Sequence, residues 1–194
     1  MGRPAVAPAG IGASVFVLVK YHSTRSGAEL QSYGDQRSGN RYPPRRSRFS
    51  DWERVRLLIL DTFAYMGPRI DPPSSALGLT PKSIQASAES GTLLLAYSAD
   101  DLVGCAFLHQ KNDALYIGKL AVSPMLQRAG IGRKLMEAAR DQARLRGIGM
   151  LELETRIELT ENHAAFARMG FIKTAETSHD GFDRPTSIVM RAPV

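Results

Sequence analysis

The chain has 194 residues, a length that suits one domain, and 43% of them are apolar, which is enough for a sizeable core. The only cysteine, Cys105, excludes an internal disulfide and a cysteine-based metal cluster, and the histidines lack metal-ligand spacing, so we expect no metal and a reducing, cytoplasmic setting. The formal charge of +6 resides in the first 48 residues, so the neutral remainder gives no reason to expect a nucleic-acid partner.

Residues 1–46 are predicted to be a basic extension outside the folded domain. Residues 22 to 48 are rich in Ser, Gly, Arg and Tyr and show no periodicity, which is typical of disorder. The apolar stretch VAPAGIGASVFVLV is too short to cross a bilayer and precedes no signal-peptide cleavage pattern, so we expect no membrane association. A transit peptide, and pairing of SVFVLVKY as an extra strand, stay open as alternatives.

Two helices begin the regular part of the chain. The first is SDWERVRLLILDTFAYM, with Ser50 as the predicted N-cap, Glu53 three positions on, and apolar residues at helical spacing. The second is TPKSIQASAES, which starts with a threonine cap and a proline at the first helical position. A proline-containing loop, GPRIDPPSSALG, separates them.

Six strands and two more helices follow. The runs TLLLAYS, LVGCAFLHQ and ALYIGKLAV, divided by ADD and KND, predict an antiparallel meander. A helix that ends at Gly147 leads to the strand GMLELET, which predicts a right-handed crossover between parallel strands. The helix TENHAAFARMG and the strands FIKTAETS and PTSIVMRA come last. The predicted fold class is α/β (α+β), a central mixed β-sheet flanked by helices in the order α-α-β-β-β-α-β-α-β-β.

The stretch LAVSPMLQRAGIG joins a strand to a helix through a turn that contains glycines. Amides at a helix start have no partner within the helix, and the helix dipole adds positive potential, so such a turn suits an anion. Gly130 and Gly132 let a ligand approach the backbone, and Arg128 adds a charge. A pyrophosphate fits this arrangement best, and a turn whose glycines serve only packing is the alternative.

These residues resemble the GNAT superfamily of N-acetyltransferases. LAVSPMLQRAGIG is similar to the family's strand followed by Q/R-x-x-G-x-G/A, and AAFARMGFIKTA is similar to its last helix ending in Gly-Phe, here Gly170 and Phe171. The resemblance covers residues 47–194, which we expect to form the GNAT domain. It implies acetyl-CoA as donor and the amine of a small molecule or protein as acceptor, and it leaves a homodimer open.

The resemblance also implies which residues bind CoA. The amides of the turn would hold the pyrophosphate. The preceding strand, which usually bulges away from its parallel neighbour in this family, would pair with the pantetheine and place an N–H near Ala121 or Val122 at the developing oxyanion. The implied CoA-binding residues are Leu120, Ala121, Val122, Gln127, Arg128, Ala129, Gly130, Ile131, Gly132, Arg133, Asn162 and Phe166.

The chain departs from the family where protons are transferred. Phe166 occupies the position that often carries a proton-donating tyrosine, and the preceding asparagine falls on Leu159, for which Asn162 would substitute from the same helix face. A non-catalytic acyl-CoA-binding sensor is therefore the alternative function. The candidates for the general base are Glu154, Glu152, Tyr116 and His109, and none of them is assigned.

Acceptor specificity in this family comes from the loop between the first two helices and the hairpin before the last strand, here MGPRIDPPSSALG and SHDGFDRP. Asp71, Asp180 and Asp183 would suit a cationic acceptor, whereas Arg69 and Arg184 would suit an anionic one. The sequence leaves the acceptor open.

Overall fold

The structure, a computed structural model, describes residues 15–22, 31–33 and 49–194. In these ranges the helices are α1 (Trp52–Phe63), α2 (Pro81–Ser90), α3 (Ile131–Leu145) and α4 (Thr160–Ala167). The strands are β1 (Val15–His22), β2 (Gln31–Tyr33), β3 (Thr92–Ser98), β4 (Asp101–Lys111), β5 (Ala114–Val122), β6 (Met150–Arg156), β7 (Ile172–Thr177) and β8 (Ser187–Pro193). From residue 49 onward the predicted order of elements is confirmed. None of the helices described is long and apolar enough to cross a bilayer.

The described strands form one sheet in the order β2-β1-β3-β4-β5-β6-β8-β7. Of the described pairs, only β5 and β6 are parallel, and α3 connects them, so the predicted crossover between parallel strands is confirmed, while its right-handedness stays a prediction. β1 pairs with β3, which means that the structure contains the extra strand raised as an alternative for SVFVLVKY. Apart from β1 and β2, the predicted extension lies outside the described residues, and the domain boundary at residue 47 stays a prediction.

Helices cover both faces of the sheet. Helices α1 and α2 pack with Leu93 and Leu95 of β3 in one core, and α3 packs with Leu94 of the same strand in the other. Because both faces of β3 are buried, its sequence is a continuous apolar run rather than an alternation.

The helix ends follow from short-range hydrogen bonds. The N-cap predicted at Ser50 is wrong: the cap of α1 is Asp51, because its Oδ1 lies 3.2 Å from the Arg54 N–H and accepts from it. The cap predicted for α2 is confirmed, since the Thr80 side chain accepts from the Ser83 N–H with proline at the first helical position. Gly147 follows the end of α3 with a φ of 67°, a left-handed conformation that favours glycine.

The ends of β5 and β6 create the space for a site. The two strands pair only between Leu115–Ile117 and Leu151–Leu153. Beyond that point β5 contains a bulge. Gly118 pairs with Phe107 of β4 and Ala121 pairs with Cys105, so β5 has one residue more than β4 between these two pairs. Lys119, inside the bulge, has a φ of 49°. The bulge directs β5 away from β6, and a slot opens between them.

Candidate active site

A cleft of about 450 Å³ lies where β5 and β6 diverge. The segment after α1 and helix α4 complete its walls, and apolar side chains such as Ile59, Ile84 and Phe107 line it deeper in the molecule. Six of the residues implied or considered from the sequence line this cleft together. They are His109, Tyr116, Leu120, Glu154, Asn162 and Phe166.

The turn before α3 presents amides that have no hydrogen-bond partner in the described part of the chain. Gly130, the N-cap of α3, has a φ of 82° and no side chain to accept from those amides. The helical bonding starts with the Lys134 N–H, which donates to the Gly130 carbonyl over 3.1 Å, so the amides of residues 131, 132 and 133 precede it. A Cβ on Gly130 would meet nothing within 4 Å, and one on Gly132 would lie 3.9 Å from Val122 Cγ2. The turn is therefore open to an anion at the helix N-terminus.

Other residues of the turn hold it in place. The Gln127 Nε2 and the Thr62 Oγ1 both donate to the Val122 carbonyl, over 3.4 and 3.3 Å. The Ala129 N–H donates to the Leu126 carbonyl over 3.3 Å. Gln127 therefore braces the turn against the end of β5, and the amide of Ala129 is already used inside the turn.

The other implied residues surround these amides. Arg128 is exposed with a φ of 66°, and Arg133 is exposed and paired with Glu137 over 3.1 Å. Ala121 and Ile131 are buried in the core, so only their backbone can meet a ligand.

The two carboxylates of β6 differ in their surroundings. Glu154 is exposed, and it is the one carboxylate among the described residues that line the cleft. Its Oε1 accepts from the Thr177 Oγ1 over 2.6 Å. Glu152 does not line the cleft, and it is paired with Lys111 over 2.9 Å and with Arg191 over 3.4 Å. Of the two, only Glu154 can reach a group bound in the cleft.

Tyr116 and His109 also line the cleft, and their surroundings shift their pKa values in opposite directions. Burial, together with the charges of Glu154 and Glu152, raises the pKa of Tyr116 to about 12, so its phenol keeps its proton and acts as a donor. Burial and the nearby charge of Arg146 lower the pKa of His109, so its imidazole is neutral at physiological pH.

Phe166 brings no hydroxyl to the cleft, but another tyrosine lies close by. The Phe166 ring packs edge-on against Phe171 with a centroid distance of 6.1 Å. One helical turn earlier, the Asn162 Nδ2 donates to the Tyr65 hydroxyl over 3.2 Å. Tyr65 belongs to the short 3-10 turn after α1, 97 residues away in sequence. Local patterns could not have identified it, because the contact depends on the packing of two distant segments.

Three of the charged loop residues considered for acceptor binding form ion pairs, with each other or with α4. The Arg184 Nη2 lies 2.6 Å from the Asp71 Oδ2, and Arg69 pairs with Glu161 of α4. These pairs link the segment after α1 to the hairpin before β8 and to α4. Asp180 and Asp183 are exposed in that hairpin.

A helix start whose amides are open to an anion, beside a slot between diverging parallel strands, is the arrangement that the sequence resemblance implied for a CoA-dependent acyltransferase. The model of the acetyltransferase (GNAT) family matches residues 52–171, more than half of the chain. The chain therefore belongs to the GNAT family of N-acetyltransferases.

Known proteins are similar over most of the same region. IAA acetyltransferase from Azospirillum brasilense is 29% identical over 103 residues, which cover 52% of this chain and 67% of that protein. The ribosomal-protein-S18-alanine N-acetyltransferase from Escherichia coli has a TM-score of 0.53 at 21% identity, covering 76% of this chain and 91% of that one. PaiA N-acetyltransferase from Thermoplasma acidophilum, in complex with coenzyme A, has a TM-score of 0.59 at 15% identity, covering 74% and 93%. At these identities the structural likeness establishes the fold.

Proposed function

We propose that the protein transfers the acetyl group of acetyl-CoA to an amino group of a small molecule or protein. The observation that carries this proposal is the junction of the free amides at the start of α3 with the slot between β5 and β6. An anion site beside a narrow slot fits a ligand that joins a pyrophosphate to a long arm. The PaiA relative, which shares the fold, was solved with coenzyme A.

The residues present fit this ligand. The amides of residues 131–133 would accept the pyrophosphate, with the exposed Arg128 beside them. The edge of β5 from Leu120 to Val122 faces the slot after the bulge, where an extended arm would add to it like a strand. The Val122 carbonyl already accepts from Gln127 and Thr62, and Ala121 is paired with Cys105 of β4, which leaves the backbone of Leu120 and the Val122 N–H for that role.

The acceptor amine would lie in the cleft near Glu154. Bound acetyl-CoA supplies an activated acetyl group, and its transfer forms a C–N bond and breaks a C–S bond. An amine must lose a proton to attack, and Glu154 is the carboxylate placed to receive it, directly or through one water. We therefore assign Glu154 as the general base and exclude Glu152 from this role because its ion pairs hold it outside the cleft.

The Tyr65 hydroxyl is our candidate for the proton donor to the departing thiolate. A long helical side chain leans toward the preceding turn, so a tyrosine at position 166 would direct its hydroxyl toward Asn162. In this chain Asn162, which lines the cleft, donates to the hydroxyl of Tyr65, a residue that is 40% exposed at the rim and outside the lining itself. The acid would then come from the segment after α1 rather than from α4.

The alternative is a sensor that binds acetyl-CoA without turnover, and the phenyl ring of Phe166 is the observation that favours it. The two functions separate in one assay, which measures CoA thiol release with and without amines. The Glu154→Gln variant should bind acetyl-CoA like the wild type but release CoA about 10²- to 10⁴-fold more slowly. Glu152→Gln, two residues away on the same strand, should keep its turnover. Binding of acetyl-CoA with no amine-dependent release would establish the sensor instead.

A further inference from the structure

Arg156 places an unsatisfied guanidinium in the wall of the cleft. It is the last residue of β6, it lines the cleft, and its side chain is only 11% exposed. Its Nη1 lies 3.4 Å from the His179 Nε2. Its Nη2 and Nε are buried without a hydrogen-bond partner in the part of the chain that the structure describes. A buried N–H of this kind is costly unless something accepts from it.

The network behind Arg156 fixes its orientation. A guanidinium can only donate, so the His179 Nε2 must accept and its Nδ1 must carry the proton. That Nδ1 lies 2.6 Å from the Thr186 Oγ1, to which it donates. The Thr186 hydroxyl in turn donates to the Thr177 carbonyl over 3.4 Å. Arg156 is therefore anchored through Nη1, and Nη2 is left without an acceptor among the described residues.

Glu158 forms an ion pair with Arg156, but this pair reaches only the Nε side of the guanidinium. Its Oε2 lies 3.6 Å from the Arg156 Nε, beyond hydrogen-bond distance, and is itself without a partner in the described residues. Its Oε1 accepts from the Asp71 N–H over 3.1 Å. Glu158 moderates the charge of Arg156 from one side, but it provides no acceptor for Nη2.

The remaining charges of the cleft favour an anionic group on the ligand. The charged side chains of its described lining, leaving histidines aside, are the cations Lys119 and Arg156 and the carboxylate Glu154. The Lys119 Nζ contacts the Ser75 Oγ over 3.3 Å, a neutral partner. A polyamine would bring several positive charges to this lining, whereas a zwitterion would match it.

We propose that the acceptor is an amine that also carries a carboxylate, a free amino acid or a close analogue, with the carboxylate bound by the Arg156 Nη2. Glu154 and Arg156 lie on the same face of β6, two residues and therefore about 7 Å apart along the strand. That separation lets Glu154 meet the amino group while Arg156 meets the carboxylate. The proposal rests on the proposed acetyl transfer and names its substrate class.

The test measures CoA release with three sets of acceptors, namely free amino acids, the matching amino acid amides and polyamines. An amino acid amide lacks the carboxylate and so loses its charged hydrogen bond to Arg156. We therefore expect the kcat/KM of the wild type to be about 10- to 100-fold higher for the best amino acid than for its amide. Arg156→Gln should lower kcat/KM for the acid by a similar factor and leave that for the amide unchanged. Arg156→Lys, which keeps the charge, should give an intermediate ratio.

Controls separate this proposal from the one on which it depends. Arg144→Gln, on α3 and outside the cleft lining, should keep the wild-type ratio of acid to amide. Equal use of acids and amides by the wild type, or release only with polyamines, would overturn the assigned acceptor while leaving the transferase intact. An equal loss for both acceptors in Arg156→Gln would overturn the role of Arg156. No release with any amine would overturn the transferase as well.

Discussion

Replacement of Gly132 by leucine tests the pyrophosphate site most directly. Gly132 is the second residue of α3, and its φ does not lie in the left-handed region, so a side chain is compatible with the backbone. The new Cβ would lie 3.9 Å from Val122 Cγ2, an ordinary contact. Leucine favours a helix more than glycine does, by up to about 1 kcal/mol per residue, so we expect the variant to fold with equal or greater stability.

The effect on ligand binding should be opposite. A side chain at this position covers the amides of residues 131–133, and each charge-assisted hydrogen bond lost is worth about 1.5–3 kcal/mol. The dissociation constant of CoA should therefore rise by about 10- to 150-fold for one bond, and further if two are lost. Calorimetric titration of CoA measures this, and pantetheine, which lacks the pyrophosphate, should bind both proteins equally.

Gly149→Ala is the matched control, since a Cβ there meets nothing within 4 Å and φ is ordinary. It should bind CoA as the wild type does. Gly130 is a poorer choice, because a side chain at its φ of 82° costs about 1–2 kcal/mol whatever the ligand does. Wild-type CoA affinity in a folded Gly132→Leu protein would refute our placement of the pyrophosphate.

The remaining predictions concern proton transfer and the single thiol. Tyr65→Phe should lower kcat by about 10-fold or more at unchanged acetyl-CoA affinity. Adding Phe166→Tyr to this variant should restore kcat. Rapid-quench rates that do not respond to either change would remove Tyr65 from the mechanism. Burial raises the pKa of the Cys105 thiol to about 12. A disulfide reagent at pH 8 should therefore react with this thiol only after the protein is unfolded in urea. Rapid labelling of the native protein would contradict the burial of Cys105.

Elements defined by local chemistry could be predicted from the sequence. The threonine cap and proline of α2, the apolar runs of the meander and the glycine after α3 each act within a few residues, and each appears where the pattern placed it. The cap of α1 was misplaced by one residue because Ser50 and Asp51 both carry a suitable acceptor. Choosing between them needs the path of the backbone, which two adjacent capping residues do not reveal.

The roles of side chains in the cleft depended on tertiary contacts. Glu152 and Glu154 are equivalent in an alternating strand, and only the neighbouring strands make them different: Lys111 and Arg191 bind one, and the cleft exposes the other. Asp71 and Arg184 are opposite candidates for substrate recognition in the sequence, but they bind each other across 113 residues. Charge patterns alone cannot show such cancellation.

The surroundings of Phe166 explain how a hydroxyl can be lost from α4 without loss of the site. Its ring packs on Phe171, which is 1% exposed, and contacts the core that α3 also joins, so an apolar ring at this position has a structural task. The polar task is separate, because it needs only a hydroxyl near the side of the cleft that Asn162 faces. Tyr65 reaches that side from the segment after α1, which Arg69 ties to Glu161 of α4. In the function that we propose, the fold divides between Phe166 and Tyr65 what one tyrosine does in the family pattern, and the acid comes from the segment after α1.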